Sequence, residues 1–347
     1  MPSDSSNQSA IDALIAKVAP YKGMLSECGW AYLINDTNNF LSYLCGGAKW
    51  SDQQRQQAAE VIRQRHNVLA ARGIAYCKFV IPEKGIVYPE YLPAEIRALL
   101  SPEPRPAQLL QADCPNAVLY LDCAMLDAKP IAHIYFRADS HPNWLGAWFV
   151  YRSIFHRLQA ENLIGAQKAI DLREMDGAVA SYDGDLMTQV PQVERELFAL
   201  RYGHTIPRYG FEMAISLSIR DDCKRAFAVE APEIYREWYS TRETLAYERA
   251  DKAGPRAVIF RDSTFDRGVV ELLAQHFSRS VFVWHQGQVD RDVIDREAPD
   301  LVIHAMAERF LSSYPSTSPF IRVSGVPEGG PPAGNEWWRP SGRAQPA

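Results

Sequence analysis

Apolar and polar positions follow the most regular pattern in the last third of the chain. Apolar runs predict strands at 256–260, 281–284 and 301–304, and a helical period predicts helices at 266–277 and 291–296. Strands joined by helices pair in parallel through right-handed crossovers. The pattern therefore predicts an α/β fold built on a parallel sheet.

The first half of the chain contains the same kinds of elements. Ser51, with Gln54 three residues later, forms a capping-box pattern that begins a helix, and Gly73 predicts its end. Further apolar runs predict strands at 74–81, 117–121 and 131–136, and aromatic residues at helical spacing predict a helix at 145–158. Residues 159–255 carry many charges, and their pattern predicts no topology.

Composition narrows the class of protein. The chain has 347 residues, 47% of them hydrophobic and 23% charged, as in ordinary globular proteins. There are 37 Lys and Arg against 42 Asp and Glu, so the net charge is −5. This acidic balance argues against a nucleic-acid partner, because proteins that bind the phosphate backbone carry a surplus of basic residues.

The two ends of the chain differ from its middle. Residues 1–20 are predicted to be a flexible N-terminus, 21–320 one domain, and 321–347 a tail rich in Pro and Gly. The beginning has neither a basic segment nor a long apolar run, so it does not read as a signal peptide. No apolar run reaches 18 residues. We therefore expect a cytoplasmic protein as written, or a periplasmic one if the native start was trimmed.

A serine follows one of the predicted strands. Ser263 comes after Arg261 and Asp262, where strand 256–260 ends and a helix begins. Ligands of parallel α/β sheets bind at the carboxyl ends of strands, and helix N–H groups there can stabilise an oxyanion. The alternative is that Asp262 or Ser263 only caps the following helix.

A serine nucleophile needs a base and an orienting carboxylate, and Asp139 and His141 follow the predicted strand 131–136. Two alternatives remain from the residues alone. The pair can lie in a solvated loop, or it can ligate a metal together with His285 or His204. No nucleotide-binding glycine motif is present.

Four stretches together resemble the alginate O-acetyltransferase family of the AlgJ and AlgX type. They agree with the family in order and spacing from about residue 25 to 314. The stretches are Gly29–Leu33 with Asn35–Asn39, then Val80–Pro93, then Asp139–His141 with Asn143, Leu145–Ala147 and Tyr151, and finally Arg261–Phe265 with His276–Arg279, Pro299–Ile303, Glu308 and Arg309.

The resemblance implies a fold and a reaction. The fold would be a three-layer SGNH-hydrolase-like α/β domain with circularly permuted motif order, since Asp139 and His141 precede Ser263. Ser263 would be the nucleophile, His141 the base and then acid, and Asp139 the orienting carboxylate. An acetyl group would pass through Ser263 to a hydroxyl of a polysaccharide or other glycan.

The resemblance also implies what accompanies the reaction. No cofactor or metal would be bound, and the acetyl donor would be acetyl-CoA or an acetylated partner protein. A membrane-bound O-acyltransferase would be the partner that supplies it in family members outside the cytoplasm. Two other functions remain open: an esterase or deacetylase with the same triad, and an inactive glycan-binding protein.

The chain departs from the family pattern at two positions near the site. Arg261 replaces the usual Gly before Asp-Ser, and Pro142 replaces the usual Trp after His141. The inactive alternative rests on the first departure. The backbone N–H of Ser263 is the expected first oxyanion donor. The residues expected to add donors or to line the cleft are Arg261, Asn143, Trp144, Tyr88, Tyr151 and His285.

Overall fold

A computed structural model describes residues 4–34, 38–47, 49–202, 211–239, 244–285, 287–313 and 318–322. Its strands are β1 (Gly23–Leu25), β2 (Ala31–Leu33), β3 (Ala75–Ile81), β4 (Val118–Tyr120), β5 (Met175–Asp183), β6 (Phe211–Ile219), β7 (Ala226–Val229), β8 (Leu245–Arg249), β9 (Arg256–Arg261), β10 (Arg279–Trp284) and β11 (Leu301–Ala307). Its α-helices are α1 (Asp4–Val18), α2 (Phe40–Leu44), α3 (Asp52–Ala70), α4 (Lys84–Val87), α5 (Ala94–Arg97), α6 (Pro106–Asp113), α7 (Asp122–Ala128), α8 (Trp144–Ala160), α9 (Gln192–Tyr202), α10 (Ile234–Trp238), α11 (Val269–Ala274) and α12 (Arg291–Glu297).

The centre of the fold is a seven-stranded sheet in the order β4-β3-β11-β9-β10-β8-β7. The five strands from β4 to β10 pair in parallel, and β8 and β7 continue the sheet as antiparallel strands. The parallel strands are almost entirely buried, as expected for strands covered on both faces. The α/β class and the parallel sheet are thus confirmed.

The crossovers place helices on both faces of this sheet. The chain passes from β9 through α11 to β10 on one side, and returns through α12 to β11 on the other side of β9. Right-handed crossovers in opposite directions put α11 and α12 on opposite faces. Helix α8 packs with α7 and α11, whereas Arg72, just after the end of α3, forms an ion pair with Asp295 of α12 at 2.7 Å. The fold is therefore three-layered.

Helix α3 begins as its sequence predicts. Ser51 Oγ accepts from the Gln54 N–H at 3.2 Å, and the Gln54 side chain accepts from the Ser51 N–H at 2.9 Å. Gly73 follows the helix with a φ of +73°, a left-handed conformation that glycine adopts without strain. The capping box and the stop are both confirmed.

Two predicted elements differ from the structure. Residues 131–136 form no strand, and only an isolated bridge joins Tyr135 to Pro142. The predicted helix 266–277 is shorter, because residues 263–265 form a 3₁₀ turn and Gly268, at a φ of +104°, precedes α11.

The region without a predicted topology contains an antiparallel ribbon. Strands β5 and β6 pair along nine residues each, from Met175↔Ile219 to Asp183↔Phe211. The ribbon packs against α8 through β6. The C-terminal end of β5 leads directly into Gly184 and Asp185 beside the candidate site.

The N-terminal segment also differs from the expected flexible arm. Residues 4–18 form α1, and Ile11 and Leu14 are buried in the core. Residues 35–37 of the first family-like stretch, and 323–347 of the predicted tail, lie outside the described residues. In the described part of the chain, no helix has both the length and the apolar character needed to span a bilayer.

Candidate functional site

Ser263, His141 and Asp139 lie in one hydrogen-bonded chain at the carboxyl end of β9. Ser263 Oγ lies 2.6 Å from His141 Nε2, and His141 Nδ1 lies 2.5 Å from Asp139 Oδ1. A carboxylate only accepts, so Nδ1 carries the imidazole proton and Nε2 accepts from the serine hydroxyl. The folded chain thus brings together side chains that are 122 residues apart in sequence.

The Asp139 carboxylate is fully buried. Burial disfavours its charged form, but hydrogen bonds from the side chain and backbone of His141, together with one from the Asp185 N–H, favour it more. The pKa of Asp139 therefore lies below its ordinary value. The carboxylate remains charged and can stabilise a protonated His141.

Asp262 fixes the turn that presents Ser263. Its Oδ1 accepts from the Thr264 N–H at 2.9 Å and from the Thr264 hydroxyl, and its Oδ2 accepts from the Ala307 N–H at 2.6 Å. The carboxylate thus joins the end of β9 to the end of β11. Asp262 caps the 3₁₀ turn, as one interpretation of the sequence held, and this leaves the half-buried Ser263 facing His141.

The loop before His141 is held by a buried lysine that the sequence analysis did not single out. Lys84 Nζ donates to the carbonyls of Phe136, Arg137 and Asp139 at 3.0, 3.1 and 2.7 Å. The backbone N–H of Ala31 also donates to the Arg137 carbonyl, at 2.9 Å. The hydrogen-bonding groups of this backbone segment are therefore bound by side chains and neighbouring segments, in place of the regular hydrogen bonds of a paired strand.

Asp185 is a second carboxylate at the site that the sequence analysis missed. Its Oδ2 lies 2.7 Å from Ser140 Oγ and 3.7 Å from His141 Nδ1. The only signal in the sequence was a Gly-Asp-Leu turn within a charged region, 45 residues from Ser140. No periodicity connects two positions so far apart.

Two of the residues expected to assist the site have other partners. Arg261 is buried, and its guanidinium pairs with Asp266 and lies 4.9 Å from the Trp284 ring. Asn143 caps α8, since its Oδ1 accepts from the Gly146 N–H at 2.9 Å and its Nδ2 donates to the His133 carbonyl at 2.7 Å. The hydrogen bonds described for these two side chains go to partners other than Ser263.

The expected cleft residues are also placed mainly by packing. Tyr88 is buried in an aromatic cluster, and its hydroxyl accepts from the Ile134 N–H at 3.0 Å. The Tyr151 hydroxyl contacts His276 Nε2 at 2.8 Å. Trp144 packs edge-to-face on Phe136 and lines a shallow recess together with Arg267, Leu217 and other residues.

His285 lies at the end of β10, packed beside Tyr239. Burial, and secondarily the charge of Arg65, lowers the pKa of His285 to about 4. Such a neutral, buried imidazole belongs to the core. His204, its alternative as a metal ligand, lies outside the described residues.

A group with metal-ligand chemistry does exist at the site. Within the described ranges, Asp139, His141 and Asp185 offer three ligand atoms that all lie within 4.8 Å of one another. In the observed geometry, however, His141 Nδ1 lies within hydrogen-bond distance of Asp139, and His141 Nε2 lies within hydrogen-bond distance of Ser263. The arrangement fits proton transfer between these groups without a metal.

Solved structures with the same fold come from several bacteria. Bacillus cereus PatB1 matches with a TM-score of 0.55 and 17% identity, over 75% of this chain and 91% of PatB1. The O-acetyltransferase domain of Pseudomonas putida AlgJ matches with a TM-score of 0.53 and 17% identity, over 84% of this chain and 93% of that domain. A DHHW family protein from Eubacterium siraeum matches with a TM-score of 0.56 and 13% identity, over 84% and 94% of the two chains.

These identities are too low to establish more than the fold. No curated protein sequence matches the chain significantly. Residues 45–212 match the family described as the SGNH hydrolase-like domain of acetyltransferase AlgX, a segment that includes Asp139 and His141 and ends before Ser263. The resemblance found in the sequence is therefore confirmed: residues 45–212 are similar to the SGNH hydrolase-like domain of acetyltransferase AlgX, and the fold is shared with solved O-acetyltransferase domains such as that of AlgJ.

Proposed function

We propose that this protein is an O-acetyltransferase that moves an acetyl group through Ser263 onto a hydroxyl of a glycan. The hydrogen-bonded chain from Ser263 through His141 to Asp139 carries the proposal. It supplies a nucleophile, a base and an orienting carboxylate. Residues 45–212, which include Asp139 and His141, also match a domain of the acetyltransferase AlgX.

The first half of the reaction forms an acetyl-serine. Ser263 Oγ attacks the acetyl carbonyl carbon of the donor while His141 Nε2 takes the hydroxyl proton. The tetrahedral intermediate then collapses, and its bond to the donor's oxygen or sulfur breaks as His141 returns the proton to that atom. The Ser263 N–H, at the start of the 3₁₀ turn, is the proposed first donor to the oxyanion.

The second half transfers the acetyl group. A sugar hydroxyl attacks the acetyl-serine carbonyl and gives its proton to His141 Nε2. The bond to Ser263 Oγ breaks, and His141 protonates that oxygen to restore the resting enzyme. Asp139 stabilises the imidazolium in both halves, because its buried carboxylate stays charged.

Donor and acceptor follow from the family resemblance. The donor is acetyl-CoA or an acetylated partner, such as a membrane-bound O-acyltransferase, and the acceptor is a polysaccharide or other glycan. The AlgJ domain with this fold is itself an O-acetyltransferase domain.

The test is intact-protein mass spectrometry after incubation with p-nitrophenyl acetate. We expect one acetyl adduct that maps to Ser263 and is absent from Ser263→Ala, while Ser153→Ala, at a half-buried position of α8, reacts like the wild type. Added oligosaccharides should then take up the acetyl group. Release to water alone would identify an esterase, and well-folded wild type without any adduct would contradict the proposed nucleophile.

A further inference from the structure

The turn that follows β5 presses against the loop that carries Asp139 and His141. A Cβ on Gly184 would lie 2.0 Å from the Ala138 carbonyl oxygen, so only glycine allows this approach. The Leu186 N–H donates to the same carbonyl at 3.2 Å. The turn is thereby held at a fixed distance from the catalytic loop.

Asp185, in the middle of this turn, binds the loop through both its side chain and its backbone. Its Oδ1 accepts from the Ser140 N–H at 2.8 Å, and its Oδ2 accepts from the Ser140 hydroxyl at 2.7 Å. Its own N–H donates to Asp139 Oδ2 at 3.1 Å. Two donors on Ser140 thus meet a carboxylate, which has two accepting oxygens and no proton to offer.

This arrangement determines what surrounds His141 Nδ1. Three oxygens lie near that nitrogen: Asp139 Oδ1 at 2.5 Å, Ser140 Oγ at 3.4 Å and Asp185 Oδ2 at 3.7 Å. Because the Ser140 hydroxyl proton points to Asp185, Ser140 turns its lone pairs toward Nδ1. All three oxygens act as acceptors, and this favours the tautomer with the proton on Nδ1 and a lone pair on Nε2.

We propose that Asp185 is a positioning residue for acyl transfer. It directs the Ser140 hydroxyl proton away from His141, and so keeps His141 in the tautomer whose Nε2 can accept the Ser263 proton. This inference rests on the proposed function, and it adds a second carboxylate to the machinery of the same site.

Asp185→Asn is the sharpest test. The amide keeps one accepting oxygen but places an NH₂ group next to Ser140, whose hydroxyl can then turn its proton toward His141 Nδ1. We expect the rate of Ser263 acetylation at saturating p-nitrophenyl acetate to fall about tenfold or more, short of the roughly 10⁴-fold loss that a fully wrong tautomer costs. KM should change little, and ¹⁵N NMR should show an increased fraction of His141 protonated at Nε2.

A second substitution separates this role from a merely structural one. In Ser140→Ala/Asp185→Asn no hydroxyl proton remains to compete for Nδ1, so the double variant should regain part of the rate lost in Asp185→Asn. Loss of loop structure alone would instead make the double variant worse. Asp221→Asn is the matched control, since this exposed carboxylate pairs with Lys224.

The outcomes distinguish the two proposals. Wild type without an acetyl adduct would overturn the proposed function. Wild type with an adduct, and Asp185→Asn with the same rate and tautomer, would overturn the role of Asp185 alone. If Asp185→Asn does not fold, the ¹⁵N spectrum of the wild type tests the inference instead. A neutral His141 protonated at Nε2 would contradict it.

Discussion

The Asp139 carboxylate uses both of its oxygens. Oδ1 accepts from the N–H and the Nδ1–H of His141, and Oδ2 accepts from the Asp185 N–H. These bonds outweigh the cost of burial and keep the group charged. At the scale of single residues, the chemistry of the site depends on this match of donors to acceptors.

We predict that Asp139→Asn leaves a folded protein with little acetyl transfer. An amide NH₂ facing Nδ1 would favour the tautomer with the proton on Nε2, which cannot accept from Ser263. The expected loss is about 10³–10⁴-fold in the rate of Ser263 acetylation, as in triads of this kind. Near-wild-type rates measured by mass spectrometry would show that Asp139 does not orient the base.

A second residue-scale prediction concerns stability. His276 is buried, with Nε2 near the Tyr151 hydroxyl and Nδ1 3.1 Å from Gln167 Oε1. Burial, aided by nearby Arg225 and Arg249, lowers the pKa of His276 to about 3. Between about pH 6.5 and 3 the unfolded chain binds a proton that the folded chain does not, so stability falls as pH decreases.

His276→Gln should reduce this dependence. Lowering the pH from 6.5 to 5 should cost the wild type about 2 kcal/mol more unfolding free energy than it costs the variant. Urea unfolding at the two pH values measures the difference. An equal loss in both proteins would mean that His276 titrates normally in the fold.

At the scale of elements, the site is assembled where several pieces of chain end. Strand β9 ends at Arg261, just before Ser263, β5 ends just before Gly184, and α8 begins just after His141. Such junctions carry backbone groups without ladder partners, and here side chains such as Asp262, Lys84 and Asp185 bind them.

We predict that Gly184→Ala impairs the site. The new Cβ would collide with the Ala138 backbone carbonyl, so the turn must move away from the loop that carries Asp139 and His141. Acetylation of Ser263 should slow by at least tenfold, since small displacements of catalytic groups cost about that much or more. Gly177→Ala, in strand β5 just upstream of this turn, is the matched control, because its Cβ would meet Ile215 at an ordinary 3.4 Å. Equal rates in the two variants would contradict this prediction.

At the scale of the whole molecule, buried ionic groups connect distant parts of the chain to the end of β11. Arg309 Nη1 donates to both oxygens of Glu83, at 2.9 and 3.0 Å. Glu308 contacts Arg105 and the hydroxyls of Tyr43 and Tyr120, at 2.9, 2.9 and 2.5 Å. The loops that follow β3 and β11 are thereby joined with other parts of the chain across more than 200 residues of sequence.

We predict that Glu83→Gln costs about 3–5 kcal/mol of unfolding free energy, because it leaves the Arg309 charge buried without its counterion. The Glu83→Met/Arg309→Met double variant removes both charges and should lose much less. Denaturant unfolding of the single and double variants measures both values. A double variant as unstable as the single one would show that the pair is not the cause.

Several features of this protein follow from the sequence itself. The capping box at Ser51 and the alternation of strands and helices after residue 256 are local patterns, and local backbone preferences are enough to produce them. The motifs around Asp139, His141 and Ser263 also indicated the resemblance to AlgX-type acetyltransferases, because their residue types, order and spacing are visible without a fold.

Only the tertiary structure decided the rest. The apolar run 131–136 resembles a strand, yet Lys84 and the Tyr88 hydroxyl bind its backbone and hold it as a loop. Asp185 reaches Ser140 across 45 residues through a turn that only Gly184 permits. These outcomes depend on which distant groups meet in space, and such contacts leave no periodic signal in the chain.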